Sequence, residues 1–190
     1  PDPREDYERV KAVRKAIGDN IKLMTDVNTV WDLKTAMVWG RKLEEFDVYW
    51  LEEPLHPFDK RAHAELARAL DLPIAVGETI YTKYDFRDYI EMGAVDVVQA
   101  DATKLLGIDE WLEVAALAAA YNLEVVPHTN VQQKLHVQLA AATRNVAMVE
   151  NCYESLNDIW EEPVRVVDGY YTLPEEPGLG CKFTDEVLEK

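Results

Sequence analysis

The sequence has no apolar run approaching the roughly 18 residues of a membrane-spanning helix, and its opening, Pro1-Asp2-Pro3-Arg4, has none of the features of a secretory signal peptide. Cysteine is scarce. Cys152 and Cys181 are the only two, too few for a disulfide scaffold, and they read as inert thiols of a cytoplasmic protein. Basic residues number 20 against 36 acidic ones, for a formal net charge of −16. That balance argues against electrostatic binding of nucleic acid or anionic membrane, since both need a basic face. Neither G-x-G-x-x-G nor G-x-x-x-x-G-K occurs, so the usual phosphate-cradling loops are missing. No linker-like or low-complexity stretch divides the chain, and 190 residues read as one domain. At 48% hydrophobic residues it is not a disordered acidic tail.

What the sequence does have is alternation. Helical patterns cover Glu5 to Ile17 (with Val10, Val13 and Ile17 on one face), Asp32 to Glu45, a stretch beginning at Asp59 (apolar at Ala62, Leu66 and Leu70), Tyr84 to Met92, Asp109 to Tyr121 and Val131 to Ala142. Asp109 is the expected cap of the fifth, with Trp111, Leu112, Ala115 and Ala119 facing inward. Between and after the helices lie six strand candidates: Ile21–Met24, Val48–Leu51, Ile74–Val76, Val95–Gln99, Leu123–Val126 and Val146–Val149. Such alternation predicts a parallel α/β architecture. The tail differs, with a β-like stretch from Val164 to Leu173 around a turn at Asp168-Gly169, then a Pro/Gly/Glu-rich loop.

Each strand candidate ends in a residue with metal or acid–base chemistry: Asp26, Glu52, Glu78, Asp101, His128 and Glu150, spaced 26, 26, 23, 27 and 22 residues apart. That interval is one βα unit. In a barrel of parallel strands all the C-terminal ends meet on one face, whereas a doubly wound sheet spreads them along a row. The expected fold is therefore a TIM-type (β/α) barrel. Two carboxylates about 4 Å apart repel by roughly 4 kcal/mol at an effective dielectric near 20. A convergent Asp26, Glu52 and Glu78 would therefore need a cation or shared protons. An all-carboxylate set suits Mg²⁺, with Mn²⁺ as the alternative. His128 is then a candidate base, and Asp101 a group that holds its imidazole in one tautomer. Taken singly, each of these residues also has a plain reading as a helix cap or a solvated charge. Glu53 reads as a support for the site or a surface turn, Lys104 as a loop charge, His56, His63 and His136 as structural or exposed. Trp31, Trp39, Trp50, Trp111 and Trp160 read as packing.

Leu23-Met24-Thr25-Asp26-Val27-Asn28, Trp50-Leu51-Glu52-Glu53-Pro54, Gly77-Glu78, Gln99-Ala100-Asp101-Ala102-Thr103-Lys104 and Pro127-His128 together resemble the barrel domain of the enolase superfamily, in its mandelate racemase-like branch. The closing segment, from Asp168-Gly169 to Pro177-Gly178-Leu179-Gly180, is similar too. The resemblance implies that Asp26, Glu52 and Glu78 are metal ligands, that His128 and Asp101 form the catalytic dyad, and that Glu150 is the last-strand acid near the substrate carboxylate. Glu53, Lys104, Thr129 and Asn130 are weaker candidates for contact with, or support of, the substrate site. Leu106-Gly107 stands where the family usually has two glycines, and Ala100 where proline is frequent.

By the same resemblance, the six strands correspond to about strands 3 to 8 of the barrel. The first two strands, a lysine-bearing motif and an N-terminal capping domain are expected upstream of residue 1, and residues 1–190 form a single partial barrel domain. The open edge predicts association with that upstream portion or homo-oligomerisation. The expected activity is Mg²⁺-dependent removal of the proton alpha to a carboxylate through an enediolate, foremost the dehydration of a sugar acid to a 2-keto-3-deoxy acid. A racemase or epimerase of the same superfamily is the second reading, a non-catalytic fragment or subunit the third, and a Schiff-base enzyme using Lys104 the last.

Overall fold

The computed structural model describes residues 2–129, 132–151, 159–175 and 177–189. Five strands form one sheet in chain order: β1 (Leu23–Asp26), β2 (Val48–Glu52), β3 (Ile74–Val76), β4 (Val97–Val98) and β5 (Glu124–Val125). Every pair is parallel, with Asp26 opposite Glu52, Glu52 opposite Ala75, Val76 opposite Val98 and Val98 opposite Val125. The connections are α2 (Leu33–Leu43, running into a 3₁₀ turn Glu44–Phe46), α3 (Lys60–Ala69), α4 (Lys83–Glu91) and α5 (Ile108–Ala120). Helix α1 (Pro3–Ile17) precedes β1, and α6 (Gln133–Ala142) follows β5. Sequential order, parallel pairing and a helix after each strand make this a portion of a TIM-type barrel.

Caps explain most helix starts. Asp32 accepts from the Thr35 amide, Asp59 from the Ala62 amide and Thr82 from the Asp85 amide, each holding a first-turn N–H with no helical partner. Asp109 does not cap α5. Gly107 takes that place, and Asp109 and Glu110 lie within the first turn, where their charge favours the helix N-terminus. The inward face of α5 is Trp111, Val114, Ala115 and Ala118, while Leu112 is 40% exposed and Ala119 is exposed as well. The 3.6-residue period selects positions i, i+3, i+4 and i+7 from Trp111, which excludes those two. Val13 on α1 likewise points partly to solvent.

The sixth strand candidate is the main departure. Val146 makes only an isolated parallel bridge to Val125, with the Val125 amide donating to the Asn145 carbonyl at 2.8 Å. The chain lies beside β5, but side chains rather than a strand ladder occupy the Glu150 carbonyl. In the tail, β6 (Val166–Val167) pairs with β7 (Tyr170–Tyr171) as an antiparallel hairpin. Its turn residues Asp168 and Gly169 both have positive φ, the geometry that matches strand twist in a two-residue turn. A short helix α7 (Asp185–Leu188) follows.

Both faces of the sheet are covered. The larger core packs Leu51, Ile74, Val76, Val98 and Val125 against Ala36, Leu66, Phe86, Tyr89, Trp111 and Val114 of the helices. On the opposite face Trp50, Ala75, Val97 and Val126 cluster with Met24, Tyr49 and Met148. That inner layer takes a side chain from all six strand-like segments, as the interior of a curving barrel requires. Of the tryptophans, Trp50, Trp111 and Trp160 are buried and Trp31 packs against the core. Arg14, also buried, donates to the carbonyls of Phe46, Asp47, Gly18 and Ile21 at 2.7–2.9 Å and ties the end of α1 to the start of β2. Among the described residues β1 has a neighbour on one side only. Beside it lies a cavity of about 460 Å³ lined by Tyr7, Val10, Trp31, Trp39 and Leu43 with Asp26 and Asn28. No helix among the described residues is long and apolar enough to cross a membrane.

Gly77 fixes how closely the ends of β3 and β4 approach. A Cβ there would stand 2.2 Å from the Gln99 carbonyl carbon and 2.4 Å from its oxygen, both backbone atoms that cannot swing aside. Gly77→Ala is expected to destabilise the full-length protein by about 1–3 kcal/mol, read from denaturant melts. Wild-type stability in that variant would mean the two strand ends can part freely.

Candidate active site

The parallel register brings the ends of the strands to one edge. At the end of β1, Asp26 accepts from the Asn28 amide at 2.8 Å and from the Asn28 side chain, and Asn28 and Thr29 both adopt positive φ to make the turn. The loop is stitched to β2 by Val27 N–H to the Glu52 carbonyl (3.0 Å) and Thr29 N–H to the Glu53 carbonyl (2.7 Å). Glu52 ends β2 and accepts from Trp50 Nε1 at 3.0 Å and from the buried Gln99 side chain. Glu53 turns the other way, buried, with positive φ, and bonds the Thr79 amide and hydroxyl. It braces the loop after β3 from behind.

Glu78 follows Gly77 after β3. Its Oε1 lies 3.5 Å from Lys104 Nζ and its Oε2 3.0 Å from His128 Nε2. Asp101, three residues past β4, is almost wholly buried. Its Oδ2 is 2.9 Å from His128 Nδ1, and its Oδ1 accepts from the Thr103 amide and hydroxyl at 2.7 Å each. Glu150 accepts the Thr129 amide at 2.7 Å through Oε2. Its carbonyl takes the hydroxyls of Thr129 (2.8 Å) and Tyr171 (3.1 Å) and the Gln133 amide (3.0 Å). Thr129 itself is fully buried, with both polar groups engaged by Glu150. Asn130 and Cys152 lie outside the described residues, and Cys181 is a free thiol.

The electrostatics divide the site in two. On one side negative charge is held against its tendency to disperse. Burial pushes the Asp26 carboxyl above its usual range, and the charges of Glu78 and Glu150 add to that despite the hydrogen bonds from Asn28. Burial likewise raises Glu52 to about 7 against the bonds from Gln99 and Trp50, and the neighbouring Asp26 and Glu150 charges add to the rise. On the other side charge is compensated. Burial opposes ionisation of Asp101, yet hydrogen bonds from His128, His136 and Thr103 hold it far below the usual carboxylate range. Burial opposes the charge on His128 as well, but Asp101 and Glu78 raise its pKa to about 10. The hydrogen bond from His128 lowers Glu78 against the effect of burial.

Asp26, Glu52 and Glu78 thus stand on adjacent strand ends and sense one another. Among the described residues, however, no three His, Cys, Asp or Glu side chains close on a common point at metal-binding distance. Glu78 is turned toward His128 and Lys104 instead. The donor chemistry fits a hard divalent cation, and the raised pKa values mark where positive charge would be favoured. Lys104 Nζ is paired with Glu78 Oε1 at 3.5 Å.

Two participants escaped the sequence reading. Gln99, 5% exposed, supports Glu52, and its Oε1 has no partner among the described residues. His136 is fully buried, and its Nε2 sits 3.1 Å from Asp101 Oδ1. Gln99 opens the Gln99–Lys104 segment but has no role of its own in the sequence reading, and His136 meets the site through tertiary packing. Of the other histidines, His63 is fully buried beside Tyr89 and His56 is exposed.

Comparison with known proteins agrees with this architecture. The family description "Enolase C-terminal domain-like" matches residues 1–187. L-talarate/galactarate dehydratase of Salmonella typhimurium is 38% identical over 186 residues, covering 98% of this chain and 46% of that protein. The crystal structure of L-talarate dehydratase from Polaromonas sp. JS666, complexed with Mg and L-glucarate, superposes with a TM-score of 0.91 at 39% identity, over 100% of this chain and 52% of that one. A racemase from Streptomyces coelicolor with bound magnesium gives 0.92 at 33% identity, again over 100% of this chain and 52% of that one. The chain therefore spans about half the length of the relatives it matches. A match running from residue 1 to residue 187, with the same fold at over a third sequence identity, establishes that this chain belongs to the enolase C-terminal domain-like family.

Proposed function

We propose that the protein carrying this chain is an acid-sugar dehydratase that works with Mg²⁺, Mn²⁺ being the alternative, and that His128 is its base. The observation that carries the reading is the orientation of His128. Asp101 accepts from Nδ1, so Nε2 is the nitrogen that faces the strand-end carboxylates. Asp26, Glu52 and Glu78 would hold the cation. Bound there, Mg²⁺ would bind the substrate carboxylate and stabilise the negative charge that develops when the neighbouring proton leaves.

This chain's own residues do the rest. His128 Nε2, once released by Glu78, takes the proton from the carbon next to the carboxylate. Asp101 keeps the ring in one tautomer and balances the imidazolium that forms. The C–O bond to the β-hydroxyl then breaks. His128 can return its proton to the departing oxygen, so that water leaves and the enol becomes a 2-keto-3-deoxy acid. Glu150, fixed by Thr129, Gln133 and Tyr171, faces the same mouth and would position the substrate near its carboxylate. The free edge of β1 and the apolar cavity beside it fit association with an upstream part of the same protein. The racemase relative supports a second reading, in which a second base on the opposite face returns the proton to carbon.

Incubating the full-length protein with Mg²⁺ and a broad acid-sugar panel should yield a 2-keto-3-deoxy acid, detected by its semicarbazone. His128→Asn should lower kcat by about 10²–10⁴-fold, the usual contribution of a general base. No keto-deoxy product from any acid sugar would overturn the dehydratase reading; solvent deuterium at the alpha carbon without loss of water would establish the racemase instead. Calorimetry should show saturable Mg²⁺ binding that Glu78→Gln abolishes, and undiminished binding in that variant would remove Glu78 from the ligand set.

Glu52 supplies a pH test. Its folded pKa is raised to about 7 from 4.5, so its contribution to stability is complete below the unfolded value and is lost as pH rises through the folded one. The metal-free full-length protein should lose on the order of 2 kcal/mol from this group between those limits, allowing for solvent screening. Glu52→Gln should remove that part of the slope in melts at successive pH values. An identical slope in the variant would show that Glu52 is not strained.

A further inference from the structure

We propose that His136 is a positioning residue for the His128–Asp101 pair, setting the carboxylate that aims the base. The inference rests on the reading of His128 as the base. His136 is fully buried on α6, so it cannot touch a substrate. Its Nδ1 lies 2.9 Å from the carbonyl of Gln132, which can only accept, so Nδ1 carries a proton. That bond fixes the ring and leaves Nε2 to face the end of β4. There Nε2 meets two groups of adjacent residues: the Ala102 amide, which donates to it at 3.0 Å, and Asp101 Oδ1 at 3.1 Å. Unprotonated, Nε2 holds the backbone that carries Asp101; protonated, it holds the carboxylate itself. In either state it restrains the same strand end.

The restraint is directed. Asp101 uses Oδ1 toward His136 and Thr103, and Oδ2 toward His128. With Oδ1 held on that side, rotation of the carboxylate is blocked, and Oδ2 stays in line with His128 Nδ1. On the other side of Asp101, the Ala100 carbonyl accepts from the buried Trp111 Nε1 at 2.8 Å. The strand end is therefore gripped by one indole and one imidazole from two different helices. A histidine needed for packing alone would not require Nε2 to point at the acid of the dyad.

Two amide substitutions in the full-length protein separate positioning from packing. In His136→Asn the amide nitrogen stands near the Nδ1 position and keeps the Gln132 contact, but does not reach Asp101. In His136→Gln the longer amide reaches the Nε2 position and serves both Ala102 and Asp101. His136→Asn should lower kcat by about 10–100-fold with KM nearly unchanged, the range found for groups that orient a catalytic or metal-bound side chain. His136→Gln should recover most of the rate. In ¹⁵N spectra of the imidazoles, His136→Asn should shift the signal of His128 Nδ1, the nitrogen bonded to Asp101, and His136→Gln should not. Equal rates in the two variants, or unmoved His128 signals in both, would overturn the proposal. The wild-type spectrum tests it without either variant: Nδ1 must be protonated in His128 and in His136, and a bare Nδ1 on either ring would refute the geometry. Because the spectra need no turnover, a wild-type protein inactive on every acid sugar would defeat the dehydratase reading and leave the positioning result to be read on its own.

Discussion

Parallel pairing in chain order is the constraint on which everything else depends. Because Asp26 stands opposite Glu52, and each later strand follows in register, residues separated by a whole βα unit arrive at one edge of the sheet. The arrangement gathers like charge. Asp26 and Glu52 are both less acidic than free carboxyls because burial and their neighbours oppose ionisation. A fold does not retain such a cluster for stability, since removing the charges would relieve the repulsion. The cluster makes physical sense as a seat for positive charge.

Beside that seat the same sheet edge builds the opposite environment. Asp101 is nearly inaccessible and ionised, with donors from His128 and Thr103 and with His136 Nε2 3.1 Å from its Oδ1. Glu78 stands on the border. Its register places it with the carboxylates, while its contacts are with His128 and Lys104. A single side chain thus faces both the carboxylate cluster and the His128–Asp101 pair, and its orientation links the two. The supports of these groups come from elsewhere in the chain: Gln99 behind Glu52, Thr79 behind Glu53, and Tyr171 of the terminal hairpin behind Glu150.

Much of this was legible in the residues. Alternation of apolar runs with helical periods predicted the parallel α/β order, because a strand covered on both faces must be apolar throughout while a surface helix needs only one stripe. Asp32 and Asp59 were readable as starts because capping is a local bond spanning three residues. Errors arose where local signals compete. Asp109 looks like a cap, but Gly107 begins α5 earlier, and the helix rotates to bury Val114 and Ala118 instead of Leu112 and Ala119. Val146–Val149 has strand composition, yet among the described residues it makes one isolated bridge to Val125 and no ladder.

The sequence by itself determined the strand-end chemistry and its spacing, since the order of Asp26, Glu52, Glu78, Asp101, His128 and Glu150 is written in the chain and a βα repeat has a nearly fixed length. Only the tertiary structure decided which atoms meet. That His128 spans Asp101 and Glu78, that Glu53 turns away from the mouth, and that His136 reaches Asp101 from a helix 34 residues past Ala102 all depend on side-chain direction and helix packing. Those are set by contacts between residues far apart in the chain, and no local pattern encodes them.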